Sequence, residues 1–174
     1  MIEIILFIAG SIFIVWISIS SLRRPGSHGF YRLFALEAIL GMFLVNVHDW
    51  FVHPFAWYQI VSWILLFSSL VPIIAGVYLL RHVGKPTDAL EATTQLVQSG
   101  IYRFIRHPLY ISLLLLAWGI FFKSPSLLDG CLAAIATAFL YATARADEAE
   151  CLIKFGEDYA KYMKKTKMFI PFMF

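Results

Sequence analysis

Apolar and polar positions along the chain fall into long apolar runs divided by short polar ones. The first run, "IEIILFIAGSIFIVWISIS", is long enough to cross a hydrocarbon core of roughly 30 Å as a helix. A second lies within about Phe34 to Trp50, and a third within about Trp57 to Leu80. The fourth, from Leu109 to Phe122, is short for a span, and a fifth runs from about Leu127 to Thr143. Pro125 and its flanking serines mark the turn of a helical hairpin between the last two. Gly84 and Pro86 end the third helix, "TTQLVQSG" is irregular and β-compatible, and Pro108 suits the first turn of the fourth helix. Near the C-terminus, Cys151, Leu152, Phe155, Tyr159 and Tyr162 fall on one helical stripe, with Lys154, Asp158, Lys161 and Lys165 away from it. That is an amphipathic helix, resting on the membrane surface or on the loop before the fourth helix, and Pro171 ends its pattern. The pattern predicts an all-α integral membrane protein of about five transmembrane helices.

Composition agrees: 60% of the 174 residues are hydrophobic and 14% charged, against about a quarter charged in soluble domains. The first run lacks a basic leading segment and a small-residue cleavage site, so it is expected to be a span and not a signal peptide. Basic residues set the orientation, because Lys and Arg gather in cytoplasmic loops. Arg23, Arg24 and Arg32 follow the first run; Arg81, Lys85, Arg103 and Arg106 lie between the third and fourth; Arg145 and a series of lysines follow the fifth. Five crossings put all three groups on one side and leave Lys123 opposite, whereas four or six would split them. The expected topology is N-terminus outside and C-terminus cytoplasmic. The net charge of +3 then reflects orientation and attraction to lipid headgroups, with no nucleic-acid footprint. Cys131 lies inside the fifth run and Cys151 on the cytoplasmic helix, so no structural disulfide is expected.

Several polar residues carry candidate chemistry. In "NVHDWFVHPF", His48, Asp49 and His53 have some metal-ligand character, but the turn at Pro54 and the short ligand set favour a polar interfacial turn, with Trp50, Trp57 and Tyr58 as an aromatic belt. No metal is expected. Glu37, within the second run, is an intramembrane carboxylate, which by default marks function; pairing with Arg32 is the simpler alternative. In "SGIYRFIRHPLYISLL", Gly100 permits a tight turn before Tyr102, and Arg106 and His107 stand at the positive end of the fourth helix, where anions bind. Tyr110, three residues past His107, shares its helical face. Arg103 reads as an ordinary juxtamembrane cation. Arg145, Asp147 and Glu148 supply both signs of charge where the fifth helix leaves the bilayer, opposite that loop, a combination suited to a zwitterionic, cationic ligand.

Together "GIYRFIRHPLY" and "RADEAECLIKFGEDYAKY…FIP" resemble the isoprenylcysteine carboxyl methyltransferase family and the wider group of integral-membrane phospholipid and small-molecule methyltransferases. The family carries Gly-x-Tyr followed by Arg-His-Pro-x-Tyr, then an Arg before paired acids, Phe-Gly-x-x-Tyr-x-x-Tyr and a final Ile-Pro. Here Asp147 replaces the usual first Glu and Cys151 a common apolar residue. The motifs cover roughly the last half of the chain. The resemblance implies residues 1–80 as three N-terminal transmembrane helices and 81–174 as a methyltransferase core of cofactor loop, helical hairpin and C-terminal amphipathic helix. It implies S-adenosylmethionine bound on the cytoplasmic side, contacted by Thr94, Gln95, Leu96, Val97, Tyr102, His107, Pro108, Leu109, Tyr110 and Asp147, with Glu148 as neighbour and Arg106 alongside. It gives Arg145 to the methyl acceptor. An acid at 147 or 148 suits the cofactor's ammonium, and the Tyr110 ring suits its sulfonium. A carboxylate acceptor needs no general base; an amine must lose a proton, for which His107 or Glu37 are the candidates.

The acceptor is expected to be lipophilic and to enter from the bilayer, whether a prenylcysteine carboxylate, a lipid headgroup or another hydrophobic molecule. Two other readings compete. Membrane sterol or enone reductases using NADPH carry a similar Arg-His-Pro element, and "CLIKFG" faintly echoes their tail. A non-enzymatic scaffold would bind no cofactor.

Overall fold

The structure, a computed structural model, describes residues 1–87 and 93–171. Among them the architecture is all-helical: α1 (Ile2–Leu22), α2 (His28–Val45), α3 (Trp57–His82), α4 (Pro108–Phe121), α5 (Leu127–Phe155) and α6 (Glu157–Lys165), with short 3-10 turns at Val47–Asp49 and Gly100–Arg103. The two β-type pairings are isolated bridges, Pro86 with Thr93 and Ile105 with Lys167. Local signals explain the boundaries. The Ser27 hydroxyl accepts from the Phe30 amide to cap α2, Ser126 does the same for Asp129 at the start of α5, and Pro108 opens α4.

Consecutive long helices alternate in direction. Ser11 donates to Glu37 at 2.7 Å and His48 meets Glu3 at 2.6 Å, so α1 lies antiparallel to α2. The second helix is pinned to α5 at both ends. At one, the His28 amide donates to Glu150 at 2.9 Å; at the other, Asn46 donates to Asp129 at 2.8 Å. Along α3 and α4, Gln59 donates to the Lys123 carbonyl at 2.9 Å and Ser62 to the Gly119 carbonyl at 2.6 Å, while Gly76 faces Pro108 and Leu109. Small residues let the helices approach: Ala38, Ala117, Ala133 and Ala136 are buried beside Ile39, Met42 and Ile120 in the central core. The outer face of α1 is almost wholly apolar and exposed, as lipid contact requires.

Four helices, α1, α2, α3 and α5, are long and apolar enough to cross a membrane. With 14 residues, α4 rises about 21 Å, less than a roughly 30 Å core. It nevertheless runs from the level of Leu80 to that of Gln59, so the alternation of direction that five crossings demand is present. The ends of the bundle differ in charge. Arg23, Arg81, Arg106 and Arg145 gather at one, and Lys123 stands at the other. Lys123 is 1% exposed, its ammonium 3.3 Å from the Trp63 ring centroid and 3.1 Å from Gln59 Oε1. Trp50 takes part in this cluster, 5.1 Å from the ammonium, while Trp57 is exposed as a belt residue should be.

Two boundaries depart from expectation. Instead of ending near Thr143, α5 continues to Phe155, because "ARADEAECLIKF" is built of helix formers with neither Gly nor Pro. The expected amphipathic stripe is divided at Gly156, whose φ of +55° only glycine adopts readily, and α6 starts afresh beyond it. Leu152 falls outside the stripe and is exposed; Tyr159 and Tyr162 are buried.

Candidate functional site

At the basic end, the segment from Phe104 to His107 is fixed by backbone bonds to the chain after α6. The Lys167 amide donates to Phe104, the Arg106 amide to Lys167 at 2.8 Å, and the His107 amide to Met168 at 3.3 Å. Tyr162 adds a hydroxyl bond of 2.6 Å to the Tyr102 carbonyl. These contacts aim Arg106 inward. Its Nε donates to Glu148 at 2.7 Å, and the guanidinium also meets the Met163 and Thr166 carbonyls, where a cation suits the C-terminal end of α6.

His107 is the centre of the arrangement and 4% exposed. Its Nδ1 lies 3.4 Å from Asp147 Oδ2 and its Nε2 3.5 Å from Glu148 Oε1, and the ring stacks on Tyr110 with centroids 5.2 Å apart. Tyr110 donates to the same Asp147 oxygen at 3.3 Å. Burial works against a charged imidazole here, but the two carboxylates outweigh it and hold the pKa of His107 above its ordinary value. Burial also pushes the phenols of Tyr159 and Tyr162 well up, so both stay neutral hydrogen-bonding rings.

Beside this cluster opens a partly enclosed hollow with a cavity volume of about 80 Å³. The loop contributes Leu96, Val97, Tyr102 and Arg106; α4 with its cap contributes His107, Pro108, Leu109 and Tyr110; Asp147 comes from α5. Thr94 and Gln95 lie outside the lining, their amides donating to the Gly84 carbonyl at 2.9 and 3.1 Å, while the preceding Thr93 lines it. Glu148 is not a lining residue but stands behind Arg106, 3% exposed. Arg145, 62% exposed in its side chain and 3.8 Å from Glu148, faces a neighbouring hollow. Glu37 lies against α1, bonded to Ser11, and neither hollow includes it. His48 is paired with Glu3, and among the described residues no cluster of potential metal ligands forms.

The site also holds residues that the sequence pattern left unassigned to it: Leu80, Thr93, Cys151, Phe155, Tyr159 and Tyr162. For four of these the signal existed. Cys151, Phe155, Tyr159 and Tyr162 form the apolar stripe, and it covers the hollow and not the bilayer surface. Leu80 and Thr93 had none.

Aromatic rings thus wall a hollow with one carboxylate at its edge and a buried imidazole nitrogen, His107 Nε2, that has no hydrogen-bond partner. This donor set fits a ligand carrying delocalised positive charge and an ammonium: rings face the one, Asp147 the other.

Comparison with known proteins adds the following. The family described as phospholipid methyltransferase matches residues 57–157. Among curated proteins, methanethiol S-methyltransferase 1 of Bradyrhizobium diazoefficiens is 27% identical over 118 residues, which is 63% of this chain and 39% of that relative's length. The chain therefore spans well under half of that relative. No solved structure matches.

Proposed function

The chain belongs to the phospholipid methyltransferase family, and on that premise we propose that it transfers a methyl group from S-adenosylmethionine to a lipophilic acceptor at the membrane. The observation that carries this is the aromatic hollow edged by Asp147 and His107. When bound, the cofactor supplies a methyl group on a positively charged sulfur. Asp147 would hold the ammonium by accepting its hydrogen bonds, the Tyr110, Tyr159 and Tyr162 rings would suit the sulfonium, and Leu96, Val97 and Leu109 would exclude water from the rest. Glu148 and Arg106 hold His107 in place from behind.

Methyl transfer is an in-line displacement in which the bond from sulfur to methyl breaks as the bond from acceptor to methyl forms, and sulfur leaves with the electron pair. Alignment and exclusion of water are therefore the protein's main contributions. Arg145, at the neighbouring hollow, is the residue we assign to the acceptor. A carboxylate acceptor needs no base, and an amine would pass its proton to His107. Glu37, bonded to Ser11 and outside both hollows, is given no step in this reading. The relative named for methanethiol favours a second acceptor class, a small thiol. Nothing in the comparisons supports a reductase or a scaffold.

The decisive experiment is binding. Purified full-length protein should bind S-adenosylmethionine and its demethylated product by calorimetry, and Asp147→Ala should weaken binding at least about tenfold, the cost of one charge-assisted bond. Binding of NADPH instead would overturn the reading. Incubation with methyl-labelled cofactor and either a lipid extract or methanethiol then separates the acceptor classes, since alkali releases a methyl ester but not an N-methyl product.

A further inference from the structure

We propose that the second hollow, on the far side of the Arg106–Glu148 pair from the aromatic one, is an anion site that takes a phosphate group. It is lined by Arg106, Tyr141, Arg145, Met163, Lys167 and Met168, together with Thr166. Arg106 belongs to both hollows, but its charge is matched by Glu148 at 2.7 Å. Thr166 is also committed, its hydroxyl donating to the Tyr162 carbonyl at 2.8 Å and its carbonyl accepting from Arg106.

The charge left over belongs to Arg145 and Lys167. Arg145 reaches Glu148 only at 3.8 Å and keeps most of its side chain exposed; Lys167 is exposed and held by its backbone alone, through the bridge to Ile105. Two cations thus face one hollow whose nearest carboxylate is already spoken for by Arg106 and His107. A planar guanidinium beside a compact ammonium is the pairing that suits a phosphate, with the fork on two oxygens and the point charge on a third.

Position points the same way. Arg145 lies one turn beyond Tyr141 on the same face of α5, at the end of the apolar run that closes near Thr143. That is headgroup height for a helix leaving a bilayer. Tyr141, Met163 and Met168 give the lining an apolar side, on which the glycerol portion of a lipid would lie. A snorkelling arginine alone would not need the lysine beside it.

The test uses the full chain in maltoside micelles, free of phosphate and of any methyl donor, so that its failure is distinct from failure of the methyl-transfer reading. Inorganic phosphate and dihexanoyl-phosphatidylglycerol are titrated separately and followed by phosphorus NMR. The expected result is saturable binding of the short-chain lipid with competition by inorganic phosphate. Arg145→Gln and Lys167→Gln should each weaken it about tenfold, as loss of one charge-assisted bond does. Lys161→Gln, a surface lysine outside the hollow, should change nothing. Binding of inorganic phosphate alone would still establish the phosphate site and make a free anion its ligand. Absence of saturable binding by either probe, or an equal loss in Lys161→Gln, would overturn it. Lys167 is exposed, so circular dichroism of Lys167→Gln separates lost binding from lost fold.

Discussion

His107 has two carboxylates within 3.5 Å and an arginine behind one of them. With the imidazole protonated, the buried group of Arg106, His107, Asp147 and Glu148 is balanced, two positive charges against two negative. A ligand bearing net positive charge competes with that proton for the same carboxylates. Affinity for S-adenosylmethionine is therefore expected to rise as pH increases through the raised pKa of His107, with a proton released on binding below it, and His107→Gln should flatten the profile. Calorimetry in two buffers of different ionisation enthalpy reads the proton directly. Affinity that falls with increasing pH would remove His107 from this role. Stability of the ligand-free protein should move oppositely. A histidine whose pKa is higher in the folded state stabilises fully below its unfolded value of 6.5 and loses that contribution as pH climbs through the folded value. So the free protein weakens over the same pH range in which its grip on the cofactor tightens.

At the scale of helices, the site depends on where α4 begins, and that start is set by a close approach to α3. A Cβ on Gly76 would come within 2.6 Å of Leu109 and 3.3 Å of Pro108, both of which line the aromatic hollow. Gly76→Leu is expected to push the start of α4 outward, lowering stability by about 1–3 kcal/mol and weakening cofactor binding with it. Thermal unfolding and calorimetry on the same preparation check both; unchanged affinity despite lost stability would show that α4 is positioned by its other contacts. Such dependence also explains what the sequence made legible. Pro108, and the spacing of His107 to Tyr110 and of Asp147 to Glu148, are local facts of one helix, and they predicted neighbours that the fold does bring together. That Thr93 and not Gln95 reaches the hollow is decided by amide bonds to Gly84, across a turn that no periodicity describes. Glu37 reads as functional because a carboxylate in an apolar run is costly unless used. The structure bonds one of its oxygens to Ser11, on a helix the pattern could not pair with it, and leaves the other buried without a hydrogen-bond partner. Lys123 looked like an ordinary loop charge, and only packing reveals it buried over Trp63.

For the whole molecule, orientation turns on whether α4 counts as a crossing. The charge bias predicts a basic, cytoplasmic end that also carries the aromatic hollow, and alternation of α1 to α5 puts the Arg106–Glu148 cluster and the Lys123 cluster at opposite ends of one bundle. The ends are asymmetric in the same sense: arginines gather at one, and Lys123, the cation at the other, is buried against Trp63 and Gln59. The proposal has a direct test in a background with Cys131→Ala and Cys151→Ala, where His53→Cys and Lys164→Cys each place one exposed thiol near an end of the bundle. An impermeant maleimide applied to intact cells should label His53→Cys at once and Lys164→Cys only after permeabilisation. The reverse pattern would place the hollow outside, away from a cytoplasmic cofactor supply. Labelling of both from one side would mean that the chain crosses an even number of times between positions 53 and 164, and α4, the one of α1 to α5 too short to span alone, would be the segment that fails to cross.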